Sequence, residues 1–246
     1  IILISPSDHL ILNEKQFFDD LNLGINHAKT TDNLVTYGVK PNSPNTGYGY
    51  IEFNQNKHED VICKVEQFRE KPDLKMANEF IQKGNFYWNS GMFAWKAQSI
   101  KSSFKNHAPS LFDIFFEDDS HYNTESEAEF LGDCFSICED ISIDYAILEK
   151  DPDISVILSS FDWSDLGTWG SLKDVVKKDD NGNYKNNTNI HLFNSNNCLV
   201  KSMENRTLLI DGLDDYVVID TEEGLIILKT KNEQNLKKYL KKIEKK

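Results

Sequence analysis

The stretch Ile154–Trp169, ISVILSSFDWSDLGTW, sets the framework for interpreting the rest of the sequence. Its first part, Ile154–Leu158, is a short apolar run of the kind that forms a buried strand. A polar loop with acidic residues follows, and the pattern Trp169–Val176 then predicts a helix. A strand that leads through a polar loop into a helix is the repeating unit of an α/β fold.

The start of the chain has the same arrangement. Ile1–Ile4 predicts a buried strand, and Ser5–His9 then interrupts the apolar run too early for a signal peptide, which no basic segment precedes. No apolar stretch approaches the ~20 residues that span a bilayer, so we expect no membrane segment. Because the chain begins with Ile inside a predicted strand, we interpret it as lacking its natural N-terminal segment.

Strands and helices alternate through the first two-thirds of the sequence. The predicted strands are Leu34–Val39, Tyr50–Phe53, Val61–Phe68 and Met92–Trp95, and the predicted helices are Glu14–Ala28 with Asn13 as its cap, Leu74–Gln82, Ile100–Asn106, Leu111–Phe116 and Glu125–Asp133. Tyr50–Phe53 and Val61–Phe68 could form a hairpin. The alternation predicts an α/β sheet with helices on both faces.

The polar tract Lys177–Thr188 marks a boundary, because it is rich in turn-forming residues. The strand-like pieces after it are Ile190–Phe193, Cys198–Lys201, Thr207–Ile210, Tyr216–Asp220 and Gly224–Lys229. They predict a small all-β appendage, closed by a lysine-rich helix over Asn232–Lys246. We therefore expect one domain over residues 1–180 and the appendage over 187–246.

Charge and cysteine content limit the functions that are open to this protein. Lys and Arg total 27 against 40 Asp and Glu, and the net charge of -13 argues against nucleic-acid binding. A small phosphorylated ligand is still compatible, since a few local cations or a metal ion suffice for it. The four cysteines form no C-x-x-C pair, so a zinc site and an oxidising compartment are not indicated, and we expect a cytoplasmic protein.

Two carboxylates follow predicted strand ends. Asp8 comes shortly after Ile1–Ile4, and Asp165 follows Ile154–Leu158. Ligands of open α/β sheets bind at the carboxyl ends of strands, where two carboxylates could hold Mg²⁺ together with substrate phosphates. Each residue also has an ordinary alternative, because Asp8 could cap a turn and Asp165 could cap the helix after it.

Two segments near the middle of the chain suit a sugar phosphate. The glycines of Thr46–Tyr50 let the backbone approach a ligand, although a glycine-flanked turn is also common in hairpins. In Phe68–Pro72, Glu70 could accept hydrogen bonds from sugar hydroxyls and Lys71 could neutralise a phosphate. A solvated charged turn is the alternative interpretation of this second segment.

Two further segments add polar groups among apolar residues. Within Tyr87–Phe93, Asn89 offers a polyol both donors and an acceptor, although the segment could equally be a packed turn. Ser142–Lys150 predicts a short helix with Asp144 near its start. Glu149, near its end, could face a site or be a surface charge.

Six segments occur in one order along the chain: PSDH at 6–9, TGYGYI at 46–51, F-x-EKP at 68–72, WNSGMF at 88–93, SIDYAILEK at 142–150 and DWSDLGTW at 162–169. Together they closely resemble the mannose-1-phosphate guanylyltransferases of the sugar-nucleotidyltransferase superfamily. The resemblance covers about residues 1–180, and the β appendage with its terminal helix also fits bacterial members.

The resemblance implies a Rossmann-like open mixed sheet, of the GT-A-like nucleotidyltransferase type, with a β-helix-like appendage. It implies transfer of GMP from GTP to mannose 1-phosphate, which gives GDP-mannose and pyrophosphate. Members of the family carry an N-terminal G-G-x-G-x-R-L-type loop around the nucleotide phosphates, and this sequence has no such loop. The resemblance therefore implies a fragment that is inactive alone, with GTP and mannose 1-phosphate as partners of the complete enzyme.

The resemblance also assigns roles to single positions. Asp8 and Asp165 would hold the catalytic Mg²⁺, and Lys71 would bind the sugar phosphate. The remaining sugar-binding positions would be Gly47, Tyr48, Gly49, Glu70, Asn89, Ser90, Gly91 and Glu149. Two alternatives stay open: a nucleotidyltransferase for another hexose 1-phosphate, and a non-catalytic subunit that binds sugar phosphates. The sequence also leaves homo-oligomer formation open.

Overall fold

The computed structural model describes residues 1–54, 60–202 and 206–243. Two compact units make up the chain: a first unit of residues 1–7 and 11–163, and a second unit of residues 8–10 and everything from Ser164 onward. The connection of the predicted hairpin and the last three residues of the predicted terminal helix lie outside the described residues. Across the described ranges, no helix has the length and apolar character that a transmembrane span requires.

The chain up to residue 164 contains both strands and helices, which confirms the predicted α/β class. The strands are β1 Ile2–Ile4, β2 Leu10–Ile11, β3 Leu34–Val39, β4 Tyr50–Asn54, β5 Ile62–Arg69, β6 Phe86–Trp95, β7 Ile154–Ser159 and β8 Trp163–Ser164. The helices are α1 Glu14–Thr30, α2 Leu74–Lys83, α3 Ala97–His107, α4 Pro109–Phe116, α5 Glu127–Ile137 and a π-helical turn, Asp144–Leu148. Asn13 caps α1 as predicted, because its side chain accepts the N–H of Gln16.

The main sheet has the strand order β1-β6-β3-β7-β5-β4. Only β3 and β7 run parallel, and the other neighbouring strands are antiparallel, including the predicted hairpin of β4 and β5. The sheet is therefore mixed, as the resemblance implies. An additional antiparallel pairing places Tyr50 of β4 opposite Trp88 of β6, so that β6, β3, β7, β5 and β4 form a closed circuit of strand pairs.

Strand β6 is longer than the sequence predicts and contains an irregularity. The expected strand began at Met92, whereas β6 begins at Phe86 because its first residues pair with β4. Against β3, Thr36 faces Phe93 but Gly38 faces Asn89, so three residues of β6 lie opposite one residue of β3. Such bulges bend a strand and redirect side chains, and they are common beside functional sites.

Helices cover both faces of the sheet, as predicted. Val35 and Tyr37 of β3 pack on one face with Leu21 of α1 and Phe80 of α2. On the other face, Leu34 and neighbouring strand residues pack with side chains of α3 and of the π-helical turn. This alternation along β3 has the period of two that a strand buried on both faces requires. Each large apolar side chain buried in this way contributes roughly 1.5–3 kcal/mol.

The second unit contains the predicted small β region. Its elements are α6 Trp169–Val175, β9 Tyr184–Lys185, β10 Ile190–Phe193, β11 Leu199–Ser202, β12 Leu208–Asp211, β13 Tyr216–Asp220, β14 Leu225–Lys229, a 3-10 helix Thr230–Asn235 and α7 Leu236–Ile243. The pairs β9–β11, β10–β12 and β11–β13 are parallel, and β13–β14 is antiparallel. The terminal helix thus begins with a 3-10 segment, and the α-helix proper starts at Leu236.

The parallel strands of the second unit repeat at a fixed interval. Ile190 pairs with Leu208, and Leu199 pairs with Val217, so that paired residues are 18 positions apart in both pairs. Residues with positive φ recur at the same interval, with Asn194 followed by Gly212 and Asn197 followed by Asp215. Successive turns of chain therefore stack in register, which is the β-helix-like arrangement that the resemblance implies.

Helix α6 belongs to the second unit. Its Trp169 and Leu172 pack on the buried Leu199, Val217 and Ile219. The compact units consequently divide between Trp163 and Ser164, whereas the composition of the sequence places the boundary near residue 180. The domain limits of 1–180 and 187–246 stay a prediction.

Candidate functional site

Four polar side chains from separate segments of the first unit form what we call the polar cluster: Glu70, Lys71, Asn89 and Asp144. Glu70 and Lys71 follow β5 and form an ion pair. Asn89 lies on β6, and its Nδ2 donates a hydrogen bond to Oδ1 of Asp144 at 2.9 Å. The cluster therefore brings together three residues predicted to bind the sugar phosphate and a carboxylate that was not among them.

The charges of the polar cluster influence one another. The Glu70 side chain is only 8% exposed, whereas that of Lys71 is 62% exposed. Burial raises the pKa of the Asp144 carboxyl, and the nearby Glu70 carboxylate raises it further, while Lys71 acts in the opposite direction. The hydrogen bond to Glu70 raises the pKa of Lys71, which therefore stays protonated. The cluster combines two acceptor carboxylates with one accessible cation.

Gly49 lies against this cluster and has a clear steric reason to be glycine. A Cβ atom at this position would lie 2.5 Å from Oε2 of Glu70 and 3.4 Å from Cβ of Asn89. Its carbonyl accepts the N–H of Asn89 at 2.8 Å. The backbone of Gly49 therefore reaches the polar cluster because no side chain intervenes.

The loop before Gly49 is organised by Asn45, which the sequence interpretation missed. Its Oδ1 accepts the N–H of Gly47 at 2.7 Å, and its carbonyl accepts the Tyr50 hydroxyl at 3.0 Å. An Asn that bonds the backbone two residues ahead is an Asx turn, and the sequence N-T-G is a signal for one. The loop that carries Gly47 and Gly49 is thus held from its own start.

Tyr48 uses its ring for packing within the first unit. It is 9% exposed, and its ring lies edge-on to Trp88 at 4.9 Å and to Trp163 at 5.3 Å between centroids. Edge-to-face arrangements of this kind stabilise aromatic pairs. The structure thus places this predicted sugar contact in an aromatic cluster that supports the glycine loop.

The predicted triplet 89–91 divides between the polar cluster and the core. Oδ1 of Asn89 accepts the N–H of Gly91 at 3.1 Å and the Thr36 hydroxyl at 3.4 Å. Ser90 is 1% exposed, and its hydroxyl donates to the carbonyl of Tyr37 at 2.6 Å. Gly91 has a φ of 72°, which few other residues adopt easily. Asn89 therefore lies in the polar cluster, while Ser90 and Gly91 build the bulge that holds it.

The structure brings Asp144, and not the predicted Glu149, to the polar cluster. Glu149 is exposed at the far end of the π-helical turn, where its N–H donates to the carbonyl of Asp144. The sequence predicted an ordinary short helix over this segment, whereas the observed bond spans five residues. Short π-helical segments occur often at functional sites.

Unusual backbone conformations occur next to predicted site residues. Lys71 has a φ of 44° and Leu166, which follows Asp165, has a φ of 50°. The other non-glycine residues with positive φ in the described ranges are Asn or Asp, which tolerate this region. Positive φ at Lys or Leu is costly and is typical of functional loops.

Asp8 and Asp165 both belong to the second unit. The side chain of Asp8 is 86% exposed, and its Oδ1 lies 3.9 Å from Nε2 of His9. Oδ1 of Asp165 accepts the N–H of Gly167 at 2.9 Å, and Thr168 is the N-cap of α6. Within the residues that the structure describes, no group of three or more His, Cys, Asp or Glu side chains forms a metal site. The predicted site has two protein carboxylates, so it stays a prediction.

A cavity of about 540 Å³ opens in the first unit. Its walls include Lys40, just after β3, and Ser159 and Ser160, where β7 ends, together with Trp88 and Trp163. β3 and β7 are parallel, so their carboxyl ends meet at one edge of the sheet. A ligand-sized cavity therefore lies at the edge where open α/β sheets bind their ligands.

Comparison with known proteins identifies a family. Residues 1–182 match the family model described as nucleotidyl transferase. The Pseudomonas aeruginosa protein named alginate biosynthesis protein AlgA is 34% identical over 99% of this chain and 50% of its own length. A Klebsiella pneumoniae protein named mannose-1-phosphate guanylyltransferase is 33% identical over 97% of this chain and 50% of its own length.

A solved structure also resembles this chain over nearly its whole length. The Thermus thermophilus protein described as mannose-1-phosphate geranyltransferase superposes with a TM-score of 0.78 at 25% identity, covering 98% of this chain and 69% of that one. The chain spans about half the length of the curated relatives it matches.

Proposed function

Because the chain belongs to the nucleotidyl transferase family, we propose that it is the sugar-phosphate- and metal-binding part of an enzyme that makes GDP-mannose. The reaction transfers GMP from GTP to mannose 1-phosphate and releases pyrophosphate. The names of the relatives at 33–34% identity support this choice of substrates.

The polar cluster is the observation that carries the proposal. Its Glu70 carboxylate and Asn89 amide offer an acceptor and a donor to sugar hydroxyls, and the exposed Lys71 ammonium offers a charge to the sugar phosphate. The backbone of Gly49 closes one side of the cluster. A polyol that carries one phosphate matches this set of groups.

The reaction needs charge compensation and orientation more than acid–base chemistry. An oxygen of the mannose 1-phosphate attacks the α-phosphorus of GTP, and the bond from that phosphorus to the bridging oxygen breaks as pyrophosphate leaves. The attacking phosphate is ionised near neutral pH, so no general base is required. Lys71 would offset the repulsion between the two anions, and Glu70 and Asn89 would hold the sugar in line.

Asp8 and Asp165 are suited to hold a divalent ion, for which we propose Mg²⁺. Both supply hard carboxylate oxygens, which Mg²⁺ prefers, and Asp8 is widely accessible to an incoming ion. When bound, the ion would neutralise the charge that develops on the phosphates. The turn from Asp165 to Gly167 would orient the second carboxylate.

Two other functions remain as outcomes of the test. A nucleotidyltransferase for a different hexose 1-phosphate would use the same polar cluster with another sugar or base. A subunit that binds sugar phosphate without catalysis would keep the cluster but would not need the carboxylates of Asp8 and Asp165.

The test is pyrophosphate release by the full-length protein with Mg²⁺, across GTP, ATP, UTP and dTTP, each with mannose or glucose 1-phosphate. We expect fast release with GTP and mannose 1-phosphate. Preference for another pair would assign a sister activity. Binding of mannose 1-phosphate without release from any pair would favour the binding subunit.

A further inference from the structure

We propose that Asp144 is a positioning residue that fixes the amide of Asn89, so that Asn89 can offer a bound sugar only a hydrogen-bond donor. The observation behind it is the bond from Asn89 Nδ2 to Asp144 Oδ1 at 2.9 Å. The identity of the ligand rests on the proposed function, whereas the orientation of the amide does not.

The surroundings of Asn89 determine which way its amide points. The N–H of Gly91 can only donate, and it lies 3.1 Å from Oδ1. The Asp144 carboxylate can only accept when ionised, and it lies on the Nδ2 side. Turning the amide over would place a nitrogen against an N–H and an oxygen against a carboxylate, so each contact would become repulsive.

Fixing the amide leaves an unequal set of groups for a ligand. Oδ1 already accepts from Gly91 and from the Thr36 hydroxyl at 3.4 Å. Nδ2 has two hydrogens, and Asp144 takes one of them. Asn89 can therefore only donate to a sugar hydroxyl, while the neighbouring Glu70 carboxylate can only accept from one.

This division has a consequence for specificity. A hydroxyl that accepts from Asn89 must direct its own hydrogen elsewhere, and Glu70 supplies an acceptor close by. Without Asp144, the amide could turn over and present its oxygen, and the selection of one hydroxyl would be lost. Asp144 would thus act through Asn89, without contacting the ligand itself.

The first experiment measures equilibrium binding of mannose 1-phosphate and of its 2-, 3-, 4- and 6-deoxy analogues by calorimetry. The proteins are wild type, Asp144→Ala, Asp144→Asn and the control Asp140→Ala, which removes an exposed carboxylate just before this segment. We expect Asp144→Ala to weaken binding by about 10-fold. Asp144→Asn should lose less than about 3-fold, because its amide oxygen can still accept from Asn89.

The deoxy analogues separate positioning from general damage. In wild type, one analogue should bind about 10-fold more weakly than the parent sugar, because it lacks the hydroxyl held by Asn89. In Asp144→Ala this penalty should disappear, while the penalties for the other analogues persist. An unchanged penalty in Asp144→Ala would overturn the proposal.

The second experiment needs no ligand. The side-chain NH₂ signals of Asn89, assigned with Asn89→Asp in ¹⁵N-asparagine-labelled protein, should exchange with solvent at least about 10-fold faster in Asp144→Ala than in wild type or Asp144→Asn. Equal exchange in all three would overturn the proposal, even if mannose 1-phosphate does not bind and the proposed function is wrong. If Asp144→Ala does not fold, Asp144→Ser replaces it.

Discussion

The polar cluster of the first unit and the carboxylate pair of the second unit differ in how far protein contacts already organise them. Glu70 pairs with Lys71, and Asn89 is held by Asp144 and Gly91. Asp8, in contrast, projects with most of its side chain in solvent. The sugar-side groups are therefore pre-organised, whereas the carboxylates would acquire their final geometry when an ion and phosphates bind.

The largest effect should come from the carboxylate pair. We expect Asp8→Asn and Asp165→Asn in the full-length protein each to reduce kcat by at least ~100-fold, because each removes a charge that stabilises the transition state. Asp8→Asn should leave Tm within about 2 °C of wild type, since an exposed side chain contributes little to stability. Asp140→Asn, also exposed, is the matched control. Near-normal pyrophosphate release by either variant would remove the metal assignment.

A smaller effect is expected at Lys71. Lys71→Ala should raise the KM for mannose 1-phosphate by about 10- to 100-fold with a minor change in Tm, because the side chain is largely exposed and its charge faces a phosphate. Lys71→Arg should restore this only in part, since a planar guanidinium does not replace a compact ammonium. Initial rates at varied mannose 1-phosphate measure the effect, and an unchanged KM would separate Lys71 from the ligand.

Gly49 tests how tightly the polar cluster is built. Gly49→Ala places a methyl group 2.5 Å from Oε2 of Glu70, so the carboxylate must move. We expect affinity for mannose 1-phosphate to fall by about 10-fold, equivalent to ~1.4 kcal/mol. Gly132→Ala is the control, because a Cβ there meets nothing within 4 Å, and in helix α5 it should stabilise the fold by about 0.5–1 kcal/mol. Equal binding by both variants would show that the cluster is loosely packed.

The smallest effect concerns stability and pH. Burial, and then the Glu70 carboxylate, raise the pKa of Asp144 above its ordinary value of 3.8. From that value up to the raised pKa the folded state binds more protons than the unfolded state, so this group lowers the free energy of unfolding as pH rises. Asp144→Asn cannot ionise, so its stability relative to wild type should be higher at pH 7 than at pH 4. Urea unfolding of both proteins at the two pH values measures this, and a difference that does not vary with pH would contradict it.

Most regular elements could be predicted from the sequence because their signals are local. Asn13 as the cap of α1 and Leu34–Val39 as a strand follow from residue type and periodicity alone. The start of β6 could not be predicted in this way. Its first residues are extended because β4 pairs with them, and β4 lies more than 30 residues earlier in the chain.

The same distinction applies to the candidate site. Glu70, Lys71 and Asn89 could be proposed because their side chains suit a sugar phosphate. Asp144 could not be preferred over Glu149, since both are carboxylates in one short segment. The choice depends on the π-helical turn and on the bulge in β6, and no local pattern encodes their meeting.

The stacked turns of the second unit impose a rule on chain length. Ile190 and Leu208 pair 18 residues apart, and so do Leu199 and Val217. Adding or deleting 18 residues would insert or remove one complete rung and keep every turn residue above its counterpart. A change of any other length would shift Asn194 away from Gly212 unless the surplus left the stack as a loop. We therefore expect variants of this region to differ by whole rungs, as floors differ in a building.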